Sequence, residues 1–492
     1  MRITARLALV AALSPLAMLL PACEPSLPRP DNTGSTSSGS RSDSQADASV
    51  RVVNDGRTEF DQQVKNAIAD LQEFWRANYS KVSGGRPYPE LRGGIYSVNG
   101  TEVPAAARRN ACLRQDPKGA ENNAFYCTAD DSVVYDRDPE HLVGQLAEKY
   151  GRFMITAVVA HEWGHAMQQR LGIFDASATG ERPPTIFTET QADCAAGAFI
   201  RAARDGQTEH VSVTEQELEE TLLGYLQVRD PPPVSYRQIS HGNGFDRLSA
   251  MADGIANGVR YCFGEEFQQR EFTERPFTSD IDYAQRGNLP YADIIDPTPD
   301  SAEESTLQNE LNAFWAQAAE SVDKPWKDVA IRQSGDPDCP GVEQASEFDY
   351  CPSGDYVYFT DEFARQAYNS LPDKRVDRST GELTLIDDAP ADYSLGMLFV
   401  YGWSMGVRDQ LFGEPIEDRD ALLDASCYSG AFTASVNDGE QGFQLSPPDM
   451  DEATSAVIKL VPSPKAYGAH ETTALQRIQR FTQGYFGGLS DC

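Results

Sequence analysis

Histidines at 161 and 165 bracket a glutamate at 162 in "AVVAHEWGHAMQQRLG", residues 157–172 of a 492-residue chain with six histidines in all. The longer run "FMITAVVAHEWGHAMQQRL" has apolar residues at helical spacing, no proline and one glycine, Gly164, so it reads as a buried helix. Residues four apart on a helix leave one face about a turn apart, so both imidazoles can reach a single ion. Two imidazoles at this spacing suit zinc (Zn2+), and the carboxylate of Glu162 then stands where it can take a proton from water. A catalytic zinc usually takes a third protein ligand and keeps a position for solvent. "TETQADCAAGAF", residues 188–199, supplies the candidate in Glu189. Asp193, four residues on, shares its face and can accept the other N–H of a ligand histidine, which sets the tautomer. The expected set is His161, His165 and Glu189 on zinc, Glu162 as general base and Asp193 behind them.

Hydrolysis through a tetrahedral oxyanion needs a further donor. His241, beside a glycine in "ISHGNG", is the candidate, and Tyr135 a weaker alternative. His141, His210 and His470 read as ordinary surface or helix histidines. "DSVVYD", residues 131–136, alternates and is rich in β-formers, which makes it the expected strand for pairing with an extended substrate.

The elements that must position these groups occur twice, in the same order. "LQEFW" recurs as "LNAFW", "CTADDSVVY" as "CPSGDYVYF", "AHEWGHAMQQRL" as "VYGWSMGVRDQL", and "ADCAAGAF" as "ASCYSGAF". "RLSAMADGIANGVRYC" recurs as "RIQRFTQGYFGGLSDC". Such self-similarity points to a duplication, with copy one over 56–275, copy two over 300–492, and the Pro- and Asp-rich "NLPYADIIDPTPDSAEES" between them. "DIIDPTPD" lacks the ligand spacing of a known calcium loop and reads as linker. Copy two carries Tyr401, Gly402 and Met405 opposite His161, Glu162 and His165, and Leu422 opposite Glu189. Its expected role is to buttress copy one, shape a cleft or hold a protein partner.

The chain has nine cysteines. Setting Cys23 aside leaves eight, and the repeat proposes Cys112–Cys127, Cys194–Cys262, Cys339–Cys351 and Cys427–Cys492, as suits an oxidising compartment. Residues 1–22, a charged start followed by a short apolar run, read as a signal peptide. Ala22-Cys23 resembles a bacterial lipobox, although Pro21 departs from the usual small or β-branched residue there. The expected location is the outer face of the bacterial cytoplasmic membrane through a lipid on Cys23, with plain secretion as the alternative. Residues 23–55, Ser- and Gly-rich, read as a flexible tether. The net charge of −33 excludes a nucleic-acid partner, which needs a basic face, and disfavours docking on anionic lipid headgroups.

"HEWGH" followed by "ETQADCAAGAF" resembles the bacterial neutral zinc metallopeptidase family, with its HEWGHH and ELQADCxAG blocks. "AFYCTADDSVVYD" and "SHGNGFDRLSAMADGI" are similar to the stretches before and after those blocks. The resemblance covers about residues 85–262. It implies a zincin-like α+β lobe of the gluzincin type and a peptide or protein substrate. Ala166 stands where the family often has another histidine. The competing reading is a non-catalytic binding or assembly lipoprotein on the same scaffold. Retention of Glu162 favours an enzyme, because a structural zinc needs no base.

Overall fold

The first long helix, α1 (Glu59–Asn78), starts at a Thr58–Asp61 capping box and buries Val64, Ala67, Ile68, Leu71 and Trp75 along one stripe. The structure is a computed structural model. It describes residues 47–100, 103–175, 182–230, 241–273, 288–295, 306–333, 339, 347–376, 382–416, 419–439, 445–459 and 472–492. Cys23, the signal segment 1–22 and most of the tether lie outside these residues. Residues 47–55, read above as the end of the tether, are instead docked. Ala48 and Val52 are buried, and Val53 exchanges backbone hydrogen bonds with Ile95 and Ser97.

The fold is α+β, with helices dominant and the strands gathered in small sheets. In the first half, β1 (Gly94–Val98), β2 (Ala124–Cys127) and β3 (Ser132–Asp136) form a sheet of order β1-β3-β2. β3 pairs parallel with β1 and antiparallel with β2. α3 (Phe153–Leu171) packs against β2; α2 (Leu142–Tyr150), α4 (Thr185–Arg204) and α5 (Glu215–Leu226) pack on α3, and α6 (Gly244–Asn257) packs on α4. One-turn helices are left unlabelled.

The second half opens with α7 (Leu307–Ser321) and a sheet of β4 (Ala330–Gln333), β5 (Phe348–Cys351) and β6 (Tyr356–Phe359), ordered β4-β6-β5. Here too the central strand pairs parallel on one side and antiparallel on the other. Then follow α8 (Asp361–Tyr368), the hairpin β7 (Asn369–Val376) and β8 (Leu383–Pro390), α9 (Asp392–Val407), α10 (Arg419–Asn437), α11 (Asp449–Lys459) and α12 (Ala474–Gly487). The hairpin leans on the first half, where Tyr150 Oη donates to Asp387 and Arg229 Nη1 to the Pro372 carbonyl. A single apolar core runs through both halves, from Val64 and Trp163 to Trp403 and Phe481. The structure carries four disulfides: Cys112–Cys127, Cys194–Cys262, Cys339–Cys351 and Cys427–Cys492. Among the described residues no helix is long and apolar enough to cross a membrane.

The central position of β3 corrects the expectation that residues 131–136 pair with substrate. Both its edges are already taken, by β1 and β2. The edge of this sheet beside α3 is β2.

Candidate metal centre

Helix α3 is buried on nearly every side and stops at Gly172, whose φ of 79° is the left-handed cap that glycine adopts without strain. Its neighbour α4 returns across it at Gly164. A Cβ there would lie 2.8 Å from the Ala192 Cα, so only glycine allows so close an approach. That crossing brings the two histidines of α3 and the glutamate of α4 together.

His161, His165 and Glu189 each offer a ligand atom within 4.8 Å of the others. The two Nε2 atoms are 3.1 Å apart, and Glu189 oxygens lie 3.2 Å from His161 Nε2 and 3.5 Å from His165 Nε2. Glu162 Oε1 is 4.0 Å from His161 Nε2.

The far side of each ring is engaged. His161 Nδ1 sits 2.6 Å from Asp193 Oδ1, and His165 Nδ1 2.8 Å from Gln168 Oε1. The Gln168 amide nitrogen donates to the Thr188 carbonyl and to Gln191 Oε1, which leaves its oxygen to accept. Both Nδ1 atoms therefore carry protons, and in the neutral rings both Nε2 lone pairs face inward. Facing lone pairs repel unless a cation, either a proton on one ring or a metal ion, lies between them. Glu189 Oε2 agrees: it is buried, has no hydrogen-bond partner, and approaches His161 without the alignment of a hydrogen bond. Two imidazole nitrogens and one carboxylate are the donor set of a zinc site with a position left for solvent, so these residues fit the metal.

Asp193 is fully buried and saturated. It accepts from His161, from Tyr225 Oη at 2.7 Å, and from Arg247 Nε and Nη2 at 2.8 and 3.0 Å. Burial works against its charge, but the Arg247 guanidinium and then His161 hold it well below the usual carboxylate range. Burial likewise opposes a charge on His161. Asp193 and Glu189 overcome it, and in the metal-free protein the ring is pushed up to about 10. Glu189 is held far below the ordinary range, against burial, by the two histidine rings beside it.

Glu162 Oε2 accepts the backbone N–H of Tyr126, on the β2 edge, at 2.8 Å. This fixes one oxygen and turns Oε1 toward the histidines.

His241 does not join this group. It is half exposed, and both its backbone N–H and its Nδ1 engage Asp230, the ring at 3.2 Å. With Nδ1 turned to that carboxylate, Nε2 is the ring nitrogen left over. The Tyr135 hydroxyl is buried on Asp61 at 2.6 Å. Gln168, Tyr225 and Arg247 were not singled out by the sequence reading. Arg247 lies in "SHGNGFDRLSAMADGI", six residues after His241.

An uncharacterised protein of Mycobacterium bovis is 27% identical to this chain over 166 residues, 32% of this chain and 52% of the relative. Two uncharacterised proteins of Mycobacterium tuberculosis match with the same identity and coverage. The chain thus spans about half the length of the curated relatives it matches. No solved structure matches. Residues 30–230, the stretch that holds Glu162 and the three candidate ligands, match the model of the family described as "Putative neutral zinc metallopeptidase".

Proposed function

We propose that this chain is a zinc-dependent peptidase, with His161, His165 and Glu189 as metal ligands and Glu162 as general base. The observation that carries the reading is the convergence of the two Nε2 atoms and a Glu189 oxygen without a hydrogen-bond partner, beside Glu162. Zinc would supply Lewis acidity, acidifying water and polarising a peptide carbonyl. The Tyr126 N–H pins one oxygen of Glu162, so Oε1 is the atom that takes a proton from water and passes it to the leaving amine. Asp193, anchored by Arg247 and Tyr225, holds His161 with Nδ1 protonated and Nε2 free to bind. The β2 edge beside the base, apart from the Tyr126 N–H that Glu162 holds, would offer backbone groups to an extended substrate.

We also read 300–492 as a degenerate copy of 56–275. Supporting this, Tyr401 Oη and Ser426 Oγ hydrogen-bond at 2.8 Å at the places of His161 and Asp193. A Cβ on Gly402, opposite Glu162, would meet the Val357 side chain at 2.5 Å, so apolar packing fills the position of the base. The helix pairs α4–α6 and α10–α12 cross at matching glycines. Cβ atoms on Gly254 and Gly484 would lie 1.9 and 1.8 Å from the carbonyl oxygens of Cys194 and Cys427. The copy would serve as buttress or partner-binding lobe. Export and a lipid on Cys23 complete the proposal, and four disulfides suit such a compartment.

The test is hydrolysis of a quenched peptide library by zinc-loaded wild type and Glu162→Gln. Cleavage lost by roughly a hundredfold or more, with zinc retained, supports a base at 162. Equal cleavage by the two would assign the chemistry elsewhere. Absence of cleavage in both, with zinc bound, would favour the binding-protein alternative.

A further inference from the structure

We propose that Asp392, Asp449 and Glu452, deep in the second half, hold a hard divalent cation, with calcium the first candidate. Each offers a carboxylate oxygen within 4.8 Å of the others. They are 7%, 5% and 0% exposed, and burial and then repulsion from their carboxylate neighbours push Asp449 and Glu452 well above the usual range.

Neutral donors draw these groups together. The Tyr393 N–H is shared by Asp392 Oδ1 at 2.9 Å and Glu452 Oε2 at 2.7 Å. Asp392 Oδ2 accepts from Leu289 N at 2.7 Å, while Asp449 accepts from the backbone N–H and hydroxyl of Ser446. The remaining oxygen, Glu452 Oε1, is buried and has no hydrogen-bond partner. Among the described residues no lysine, arginine or histidine pairs with any of the three carboxylates. Burial of a charged carboxylate without a counter-charge is costly, and three around one point are more so. Asp392 and Asp449 open α9 and α11, and a helix N-terminus favours one acid by about 0.3–1 kcal/mol. That accounts for each singly, not for three sharing one site with an oxygen left over.

An all-oxygen, all-carboxylate donor set selects a hard ion over zinc, whose preferred donors here are the imidazoles of the first half. The placement also gives the ion structural work. Asp451, on the same helix α11, accepts from the N–H groups of Gly244 and Phe245 and pairs with Arg229 at 3.0 Å. It thereby caps α6, the helix that carries Arg247.

The experiment uses full-length protein with zinc loaded and other metals removed. Calcium, magnesium and manganese chlorides are titrated separately, with binding followed by calorimetry and unfolding by a thermal melt. The expected result is one saturable site for at least one of these ions and a melting point higher by about 2 °C or more at saturation. In Glu452→Gln that response should be lost while zinc content stays unchanged. Wild-type protein that binds none of the three ions would overturn the proposal. So would a Glu452→Gln protein that binds as wild type does, which would place the ion elsewhere. A cation-indifferent wild type stabilised by Glu452→Gln would instead indicate carboxyl groups sharing protons. If Glu452→Gln fails to fold, the wild-type titration alone decides, together with Asp392→Asn.

Discussion

A methyl group on Gly164 would come within 2.8 Å of the α-carbon of Ala192 and 2.9 Å of its carbonyl oxygen. Backbone meets backbone at this point, and the spacing between the His161/His165 pair and Glu189 depends on it. The neighbouring atoms belong to a helix main chain and cannot move alone.

Gly164→Ala should therefore force α3 and α4 apart. Overpacking of this kind costs about 1–3 kcal/mol, only partly offset by the better helix propensity of alanine. Zinc affinity should fall with stability, because the ligands sit on opposite sides of the crossing. Chemical unfolding and a competitive zinc titration check the two effects. Unchanged values in both would mean the crossing relaxes freely.

Asp193 is balanced by Arg247, and each is buried. Arg247→Leu leaves the carboxylate without its cation, a loss of about 3–5 kcal/mol in stability. Asp193→Asn is milder on folding but removes the acceptor that sets the His161 tautomer. Zinc affinity should drop about 10–100-fold. A zinc competition assay that finds Asp193→Asn equal to wild type would remove Asp193 from the site.

Zinc uptake should be pH-dependent with a definite sign. In metal-free protein His161 is raised from its ordinary value to about 10, so near neutrality it carries a proton that zinc must displace. Affinity should climb about tenfold per pH unit from pH 6.5 to 8 for one proton released. Metal-free stability runs the other way. The raised His161 contributes fully below pH 6.5, and its contribution fades as pH rises through about 10. Calorimetry in buffers of different ionisation enthalpy counts the proton. A flat affinity over this range would contradict the assignment.

The Cys194–Cys262 bond closes a separation of 68 residues between α4 and the end of the first half, against 15 for Cys112–Cys127. In the chain-entropy view, removing it costs about 4 kcal/mol, against about 3 kcal/mol for the shorter loop. Urea unfolding of the two double-serine variants, Cys194→Ser/Cys262→Ser and Cys112→Ser/Cys127→Ser, should show the larger loss for the first. The reverse order would show that strain or residual structure, not loop length, governs.

The chemistry of the site was legible because its parts are local. His161 and His165 share a face through helix geometry alone, and Asp193 follows Glu189 by one turn on a second helix. What could not be read is set by tertiary placement. Sheet order depends on how three strands meet, so the alternation of 131–136 marked a strand but not that β3 would be central, with β2 at the edge. Nothing in sequence announces the pairing of His241 Nδ1 with Asp230. Arg247 and Tyr225 converge on Asp193 from separate helices, and no spacing rule connects them. Asp392, Asp449 and Glu452 look like ordinary acids at helix starts until α9 and α11 are packed together.

The most direct measurement is zinc content per chain, by elemental analysis of purified protein, for wild type, Glu162→Gln, His161→Ala, His165→Ala and Glu189→Ala. One zinc in wild type and Glu162→Gln, and none retained through dialysis in the other three, is the expected result. Zinc-free wild type, or zinc held equally by the three ligand variants, would contradict a metal centre at these residues.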